Sequence, residues 1–254
     1  MHHTRLIARL DVKAPFLIKG INLEGVRKIG LPNDFAVRYY KEGIDEILYM
    51  DAVASLYDRN SLAAVVQQTA NDVFVPMAVG GGLRTLDDIH RMMRAGADKV
   101  AINTAAVKRP YFLSEIAEAY GSQATVLSVE AKRHSSETRW EAYVDNGREK
   151  TGLDVIDWVT RAEKLGAGEI LLTSVDQEGM QSGYDVELVH AVSLAVNIPI
   201  IASGGMGKPE HLSTVIKDGG ASAVAVAHVL HYGDYSISEL KDHLITNDIQ
   251  VRHL

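Results

Sequence analysis

Two stretches decide the fold: VPMAVGGGLRTLDDI at 75–89 and IPIIASGGMGKPEHL at 198–212. Each runs from an apolar, β-branched segment into paired glycines and then into sequence with helical periodicity. A buried parallel strand that turns into a helix reads this way. Their neighbours repeat as well. GIDEILYMD (43–51) resembles GAGEILLTSVD (166–176), AGADKVAIN (95–103) resembles GGASAVAVA (219–227), and RLDVK (9–13) falls against SVEAK (128–132). Self-similarity at nearly half the chain length predicts two similar halves, each carrying an equivalent site.

Working outward, eight strand candidates emerge: 5–11, 46–51, 75–80, 98–103, 124–130, 169–173, 198–203 and 222–227. Helix-period segments at 86–95, 110–119, 154–165, 185–195 and 208–218 separate many of them. Strands alternating with helices predict a parallel sheet, and 254 residues is the size of one closed eight-stranded barrel. The expectation is a single α/β domain over 1–254, a (βα)8 TIM barrel built from two half-barrels. Residues 133–152 break the alternation with two short polar strand-like runs around Asn146-Gly147. They predict a β-hairpin inserted after the fifth strand, on the active-site face.

Composition narrows the chemistry. Apolar residues make up 46% and charged residues 23%, enough to bury a sizeable core. The absence of cysteine excludes thiol catalysis, thiolate zinc sites and disulfides, and fits a reducing compartment. A net charge of −7 argues against a broad nucleic-acid-binding face. No apolar run is long enough to span a membrane, and MHHTRL does not read as a secretory leader. The expected location is therefore cytoplasmic. His2 and His3 receive no role.

Candidate chemistry collects at the strand ends. Gly80-Gly81-Gly82 closes the third strand and Ser203-Gly204-Gly205 the seventh; Asn103-Thr104 and Ala227-His228 hold the matching ends of the fourth and eighth. Glycine lets backbone N–H groups approach an anion, and hydroxyl or amide side chains complete the cradle. A single glycine pair is equally well a tight turn; two, in matching halves, predict a small ligand with a phosphate at each end. Asp11 and Glu130 end opposed strands at the C-terminal mouth, where a carboxylate pair suits general acid–base work. Lys19, in the loop after the first strand, could clamp an anion. Asp51 and Asp176 end the second and sixth strands as polar contacts. At the opposite end Arg5, Glu46, Lys99 and Glu169 begin four strands. Ordinary surface charges at strand starts are one reading; inward parity along the first and fourth strands, together with the repeat, makes a closed salt-bridge ring an equal alternative.

These residues make the chain similar to the cyclase subunits of imidazole glycerol phosphate synthase over essentially its whole length. The resemblance rests on LDVK (10–13) with Lys19-Gly20, GIDEI (43–47), VGGG (79–82), GADKVAINTAAV (96–107), GAGEILLTS (166–174), SGYD (182–185) and IIASGG (200–205). It implies an ammonia-dependent cyclase and lyase, fed by a glutaminase partner in a heterodimer. The implied substrate is a bis-phosphorylated ribulosyl aminoimidazole carboxamide; the implied products are imidazole glycerol phosphate and an aminoimidazole carboxamide ribotide. By the same resemblance, Asp11 and position 130 form the catalytic pair. Gly82, Asn103 and Thr104 form the first phosphate site. Arg5, Glu46, Lys99 and Glu169 form an ammonia gate, and Asp98 and Gln123 lie at the partner interface. No metal or other cofactor is implied.

The departures from that family fall on the substrate side. Glu130 stands where Asp is usual, and Arg9, inward by parity just below Asp11, stands where Cys is usual. His228 replaces a hydroxyl residue, Glu178 and Met180 replace Asp and Thr, and Ala14-Pro15-Phe16 replaces a polar turn. The resemblance therefore leaves open a paralogue that relays ammonia in the amidation of a bacterial surface sugar, and a non-catalytic docking barrel.

Overall fold

The computed structural model describes residues 3–21, 23–52, 62–135 and 138–252. His2 and residues 136–137 of the insertion lie outside the described residues. In chain order the strands are β1 (Arg5–Lys13), β2 (Phe16–Ile21), β3 (Glu24–Gly30), β4 (Glu46–Asp51), β5 (Met77–Gly80), β6 (Lys99–Ile102), β7 (Thr125–Arg133), β8 (Trp140–Val144), β9 (Glu149–Asp154), β10 (Glu169–Ser174), β11 (Ile200–Ser203) and β12 (Ala223–Val226). Eight of them, β1, β4, β5, β6, β7, β10, β11 and β12, pair in parallel in that order. β12 returns to β1, with Arg5 opposite Ala223, so the ring closes into a (βα)8 barrel.

Helices α1 (Pro32–Lys41), α2 (Leu62–Ala70), α3 (Leu86–Ala95), α4 (Thr104–Lys108), α5 (Phe112–Tyr120), α6 (Val155–Lys164), α7 (Val186–Ala195), α8 (Pro209–Lys217), α9 (His228–Tyr232) and α10 (Ile237–Thr246) lie between or after the strands. Helix α3 shows why such segments form. Thr85 and Asp88 make a reciprocal capping box, Ile89 and Met92 face the core, and Gly96 ends the helix at a φ of 113°. Such a cap stabilises a helix by about 1 kcal/mol.

Two antiparallel excursions rise from the mouth. β1 continues past the barrel and pairs with β2, which pairs with β3. β7 likewise overruns and pairs with β8, Glu130 lying opposite Tyr143, and β8 pairs with β9. β9 runs to Asp154, whose carboxylate caps α6.

Side chains stack in layers inside the barrel. Ile7, Leu48, Ala78, Ala101, Val126, Leu171 and Ile201 belong to a buried apolar sleeve. Below it, at the strand starts, Arg5, Glu46, Lys99 and Glu169 close a four-membered ion-pair ring. Arg5 donates to Glu46 at 2.6 Å and to Glu169; Lys99 reaches Glu46 at 3.1 Å and Glu169 at 2.9 Å. Each charge has two opposite neighbours, which offsets the cost of burying Glu46, 1% exposed.

Candidate active site at the barrel mouth

Above the sleeve, the C-terminal mouth opens into a cavity of about 570 Å³. Asp11 and Glu130 both line it, as do Asp51, Gly81, Gly82, Asn103 and Thr104. The strand geometry that brings them together is simple: each stands at or just past the end of a barrel strand, so the closed ring aims them at one space.

Gly81 adopts a φ of 93°, and a Cβ there would stand 2.4 Å from the Asp51 carbonyl oxygen. Only glycine fits the turn that carries β5 into this wall. Asn103 and Thr104 are steadied by the hairpin. The Asn103 side-chain amide donates to the Tyr143 carbonyl at 3.1 Å, and the Asp145 N–H reaches Thr104 Oγ1 at 3.4 Å.

Glu130 is 9% exposed and accepts the Gly147 N–H at 2.7 Å. The β8–β9 turn thus folds over the carboxylate. Burial pushes the Glu130 carboxyl up to about 7; the Gly147 hydrogen bond and the Arg9 cation pull the other way without overcoming it. An acid that titrates near neutrality can give a proton and take it back.

Beside it lies an unusual floor. The Arg9 guanidinium is 5% exposed. Its Nε donates to Asp11 Oδ1 at 3.0 Å, and its Nη1 donates to Thr173 Oγ1 at 3.0 Å and Ser203 Oγ at 2.9 Å. Sequence parity aimed Arg9 inward next to Asp11; Thr173 and Ser203 reach it from β10 and β11.

The other half of the mouth is filled. Lys19 lies on β2 rather than in a loop, because β1 overruns the barrel and pairs with it, and it forms a buried ion pair with Glu178 of the loop after β10. The segment 177–183 lies over the end of β11: the Gly183 N–H donates to the Gly205 carbonyl at 2.8 Å, and a Cβ on Gly205 would stand 2.0 Å from the Gly183 carbonyl oxygen. Gln181 reaches His228 Nε2 at 3.0 Å. Partial burial and the Lys19 charge hold the His228 imidazole below its usual value, which favours the neutral ring. Ser203, Gly204, Gly205 and His228 therefore gather as the repeat requires, but outside the cavity. Asp176 turns away from it and accepts the Arg133 N–H at 2.9 Å.

At the far end Asp98 is exposed and accepts the Met77 N–H at 2.8 Å; Gln123 is exposed in a short 3-10 turn before β7. Both lie at the strand starts, on the side of the ion-pair ring. Sequence reasoning missed several residues at the mouth. Arg84, Lys108 and Arg109 bring positive charge to the cavity beside Gly82 and Thr104, and Ser128 lines its floor. Ser128 was findable, because it shares strand parity with Glu130; the three cations lie in loops and helix ends where no periodicity marks them.

A closed parallel barrel whose C-terminal mouth gathers two carboxylates around one cavity defines a (βα)8 protein with a candidate small-ligand site at that mouth. The family model described as "Histidine biosynthesis protein" matches residues 5–236, and the chain belongs to this family. It is similar to the imidazole glycerol phosphate synthase subunit HisF of Legionella pneumophila, with 59% identity over 213 residues, 84% of this chain and 100% of that protein. Among the described residues, no helix is long and apolar enough to cross a membrane.

Proposed function

We propose that this chain is the cyclase subunit of imidazole glycerol phosphate synthase. It adds ammonia to a bis-phosphorylated ribulosyl aminoimidazole carboxamide, closes the imidazole ring and splits the molecule. The products are imidazole glycerol phosphate and an aminoimidazole carboxamide ribotide. The observation that carries this reading is the match to the full length of the Legionella subunit at 59% identity.

The site supports it with a division of labour. One phosphate settles against Gly81, Gly82, Asn103 and Thr104, where Arg84, Lys108 and Arg109 add positive charge. That anchorage sets the reacting carbons between Asp11 and Glu130. Glu130 donates a proton to a departing oxygen, and Asp11 accepts one from an adjacent carbon or nitrogen. The second phosphate belongs at Ser203, Gly204, Gly205 and His228, and its entry requires segment 177–183 to lift. Lys19 then exchanges Glu178 for substrate oxygen. At the other end, the ring of Arg5, Glu46, Lys99 and Glu169 is the gate through which a glutaminase docked near Asp98 and Gln123 delivers ammonia.

The test supplies the ribulosyl bis-phosphate and a high ammonium concentration and follows imidazole glycerol phosphate. Turnover that is lost in Asp11→Asn is expected; a folded wild-type protein that makes no product overturns the reading. One observation favours a second reading, ammonia relay to an enzyme amidating a bacterial surface sugar: the half of the mouth meant for the second phosphate is covered. Glutaminase stimulation without turnover of the bis-phosphate would select it.

A further inference from the structure

The Arg9 guanidinium has an unused edge. Three of its donations are accounted for, from Nε and Nη1, to Asp11, Thr173 and Ser203. Among the described residues, no acceptor meets Nη2. Nor is Nη2 sealed away: the sealed side-chain atoms lacking a partner are Asn33 Oδ1, Ser174 Oγ and His231 Nε2. Since the rest of the side chain is buried and Arg9 lines the cavity, that edge is reached from the cavity. A guanidinium carries five N–H donors in a fixed plane, and leaving two of them without a protein acceptor in a buried site is costly unless a ligand or water supplies one.

Its height in the barrel matters as much. Arg5, Ile7, Arg9 and Asp11 face inward along one strand, so Arg9 stands about 13 Å along β1 from the ion-pair ring at about 3.3 Å per residue. The apolar sleeve fills that interval. Arg9 is thus the first cation that a ligand meets at the bottom of the cavity, level with the carboxylates that flank it.

We propose that Arg9 is a further catalytic residue of the ammonia-addition step, its Nη2 edge donating to the carbonyl oxygen of the ribulosyl chain. This rests on the cyclase reading above. When ammonia adds, the new carbon–nitrogen bond forms at the carbonyl carbon and the π electron pair moves to oxygen. The oxygen becomes an alkoxide, and a proton passes from the added nitrogen to it, leaving a neutral carbinolamine. Nothing else is consumed. A fixed donor aimed at the oxygen that gains charge stabilises that transition state more than the ground state. Thr173, Ser203 and Asp11 hold the guanidinium plane in place, so no reorganisation is needed as the charge develops.

The experiment compares wild type, Arg9→Lys and Arg9→Ala with the ribulosyl bis-phosphate and ammonium. Arg9→Lys keeps a cation for Asp11 and removes the planar edge. Its kcat should fall by about 10²-fold while KM changes by less than about threefold. Arg9→Ala should lose at least as much, and added guanidinium should restore its kcat saturably. A merely structural arginine would instead give a lower melting temperature with no kcat-specific loss and no rescue. Folded Arg9→Lys with wild-type kcat, a loss carried wholly by KM, or no guanidinium rescue of folded Arg9→Ala overturns the role. Should Arg9→Ala not fold, Arg9→Lys decides alone. If the wild type makes no imidazole glycerol phosphate, the cyclase reading fails and this role with it; if the wild type turns over and the variants match it, only the role of Arg9 fails.

Discussion

Glu130 sits where its charge is disfavoured, and both activity and stability should register that. Its folded value of about 7 lies above the ordinary 4.5. Between those two values the folded chain binds more protons than the unfolded one. Stability therefore falls as pH rises through this window, and the full penalty applies above about 7. Glu130→Gln removes the penalty. Thermal melts should show the variant more stable than wild type at pH 8, by up to about 3 kcal/mol, and not at pH 4. Its cyclase turnover should be lost, a stability–function trade-off. A lower melting temperature at pH 8 would show that the Gly147 N–H and Arg9 stabilise the Glu130 anion by more than burial costs it. Asp11 and Glu130 could be read from sequence because a strand end at a barrel mouth is a definite place, and parity fixes which way the residue points. The Arg9–Asp11 contact follows from the same parity, but the other partners of Arg9 and the partner of Lys19 could not be read. Thr173, Ser203 and Glu178 meet Arg9 and Lys19 from β10, β11 and the loop after β10, and those encounters depend on tertiary closure that periodicity does not encode.

At the scale of elements, the β8–β9 turn is a cover over the carboxylate. Asp145, Asn146 and Gly147 take φ values of 53°, 60° and 75°. A Cβ on Gly147 would meet Val175 Cγ1 at 3.0 Å. Gly147→Ala should cost about 1–2 kcal/mol from the positive φ and this contact. It should also weaken the N–H bond that holds Glu130 down, moving the alkaline limb of the pH–rate profile upward. An unmoved limb in a destabilised variant would uncouple the turn from Glu130. The turn was visible as Asn-Gly between two strand-like runs, because that dipeptide tolerates left-handed backbone. The β2–β3 excursion was not. Its residues (FLIKGI and EGVRKIG) lack clean alternation, and they become strands because β1 overruns the barrel and offers an edge. Helices α1 and α2 went unassigned for a similar reason: their short apolar faces are decided by the barrel wall they cover.

Taken whole, the molecule is a repeat whose halves have diverged in what they leave open. The Gly81–Thr104 side faces the cavity, whereas the Ser203–His228 side lies beneath segment 177–183. Titration with inorganic phosphate, followed by calorimetry, should report one principal site. Thr104→Val should abolish it and His228→Ala should leave it in place; two equal sites would contradict the asymmetry. The ion-pair ring carries a different consequence. Two cations and two carboxylates sum to zero, so the base of the barrel presents almost no net potential to the mouth. Val126, opposite Glu169, lies four residues below Glu130, about 13 Å along the strand. One uncompensated charge at that distance is worth about 1.3 kcal/mol at an effective dielectric of about 20, or about one pH unit. Glu46→Gln leaves the ring with a net positive charge, and the limb set by Glu130 should move to lower pH by up to that amount. Any partner that docks over the ring and unbalances it would retune, through the length of the barrel, an acid it never touches.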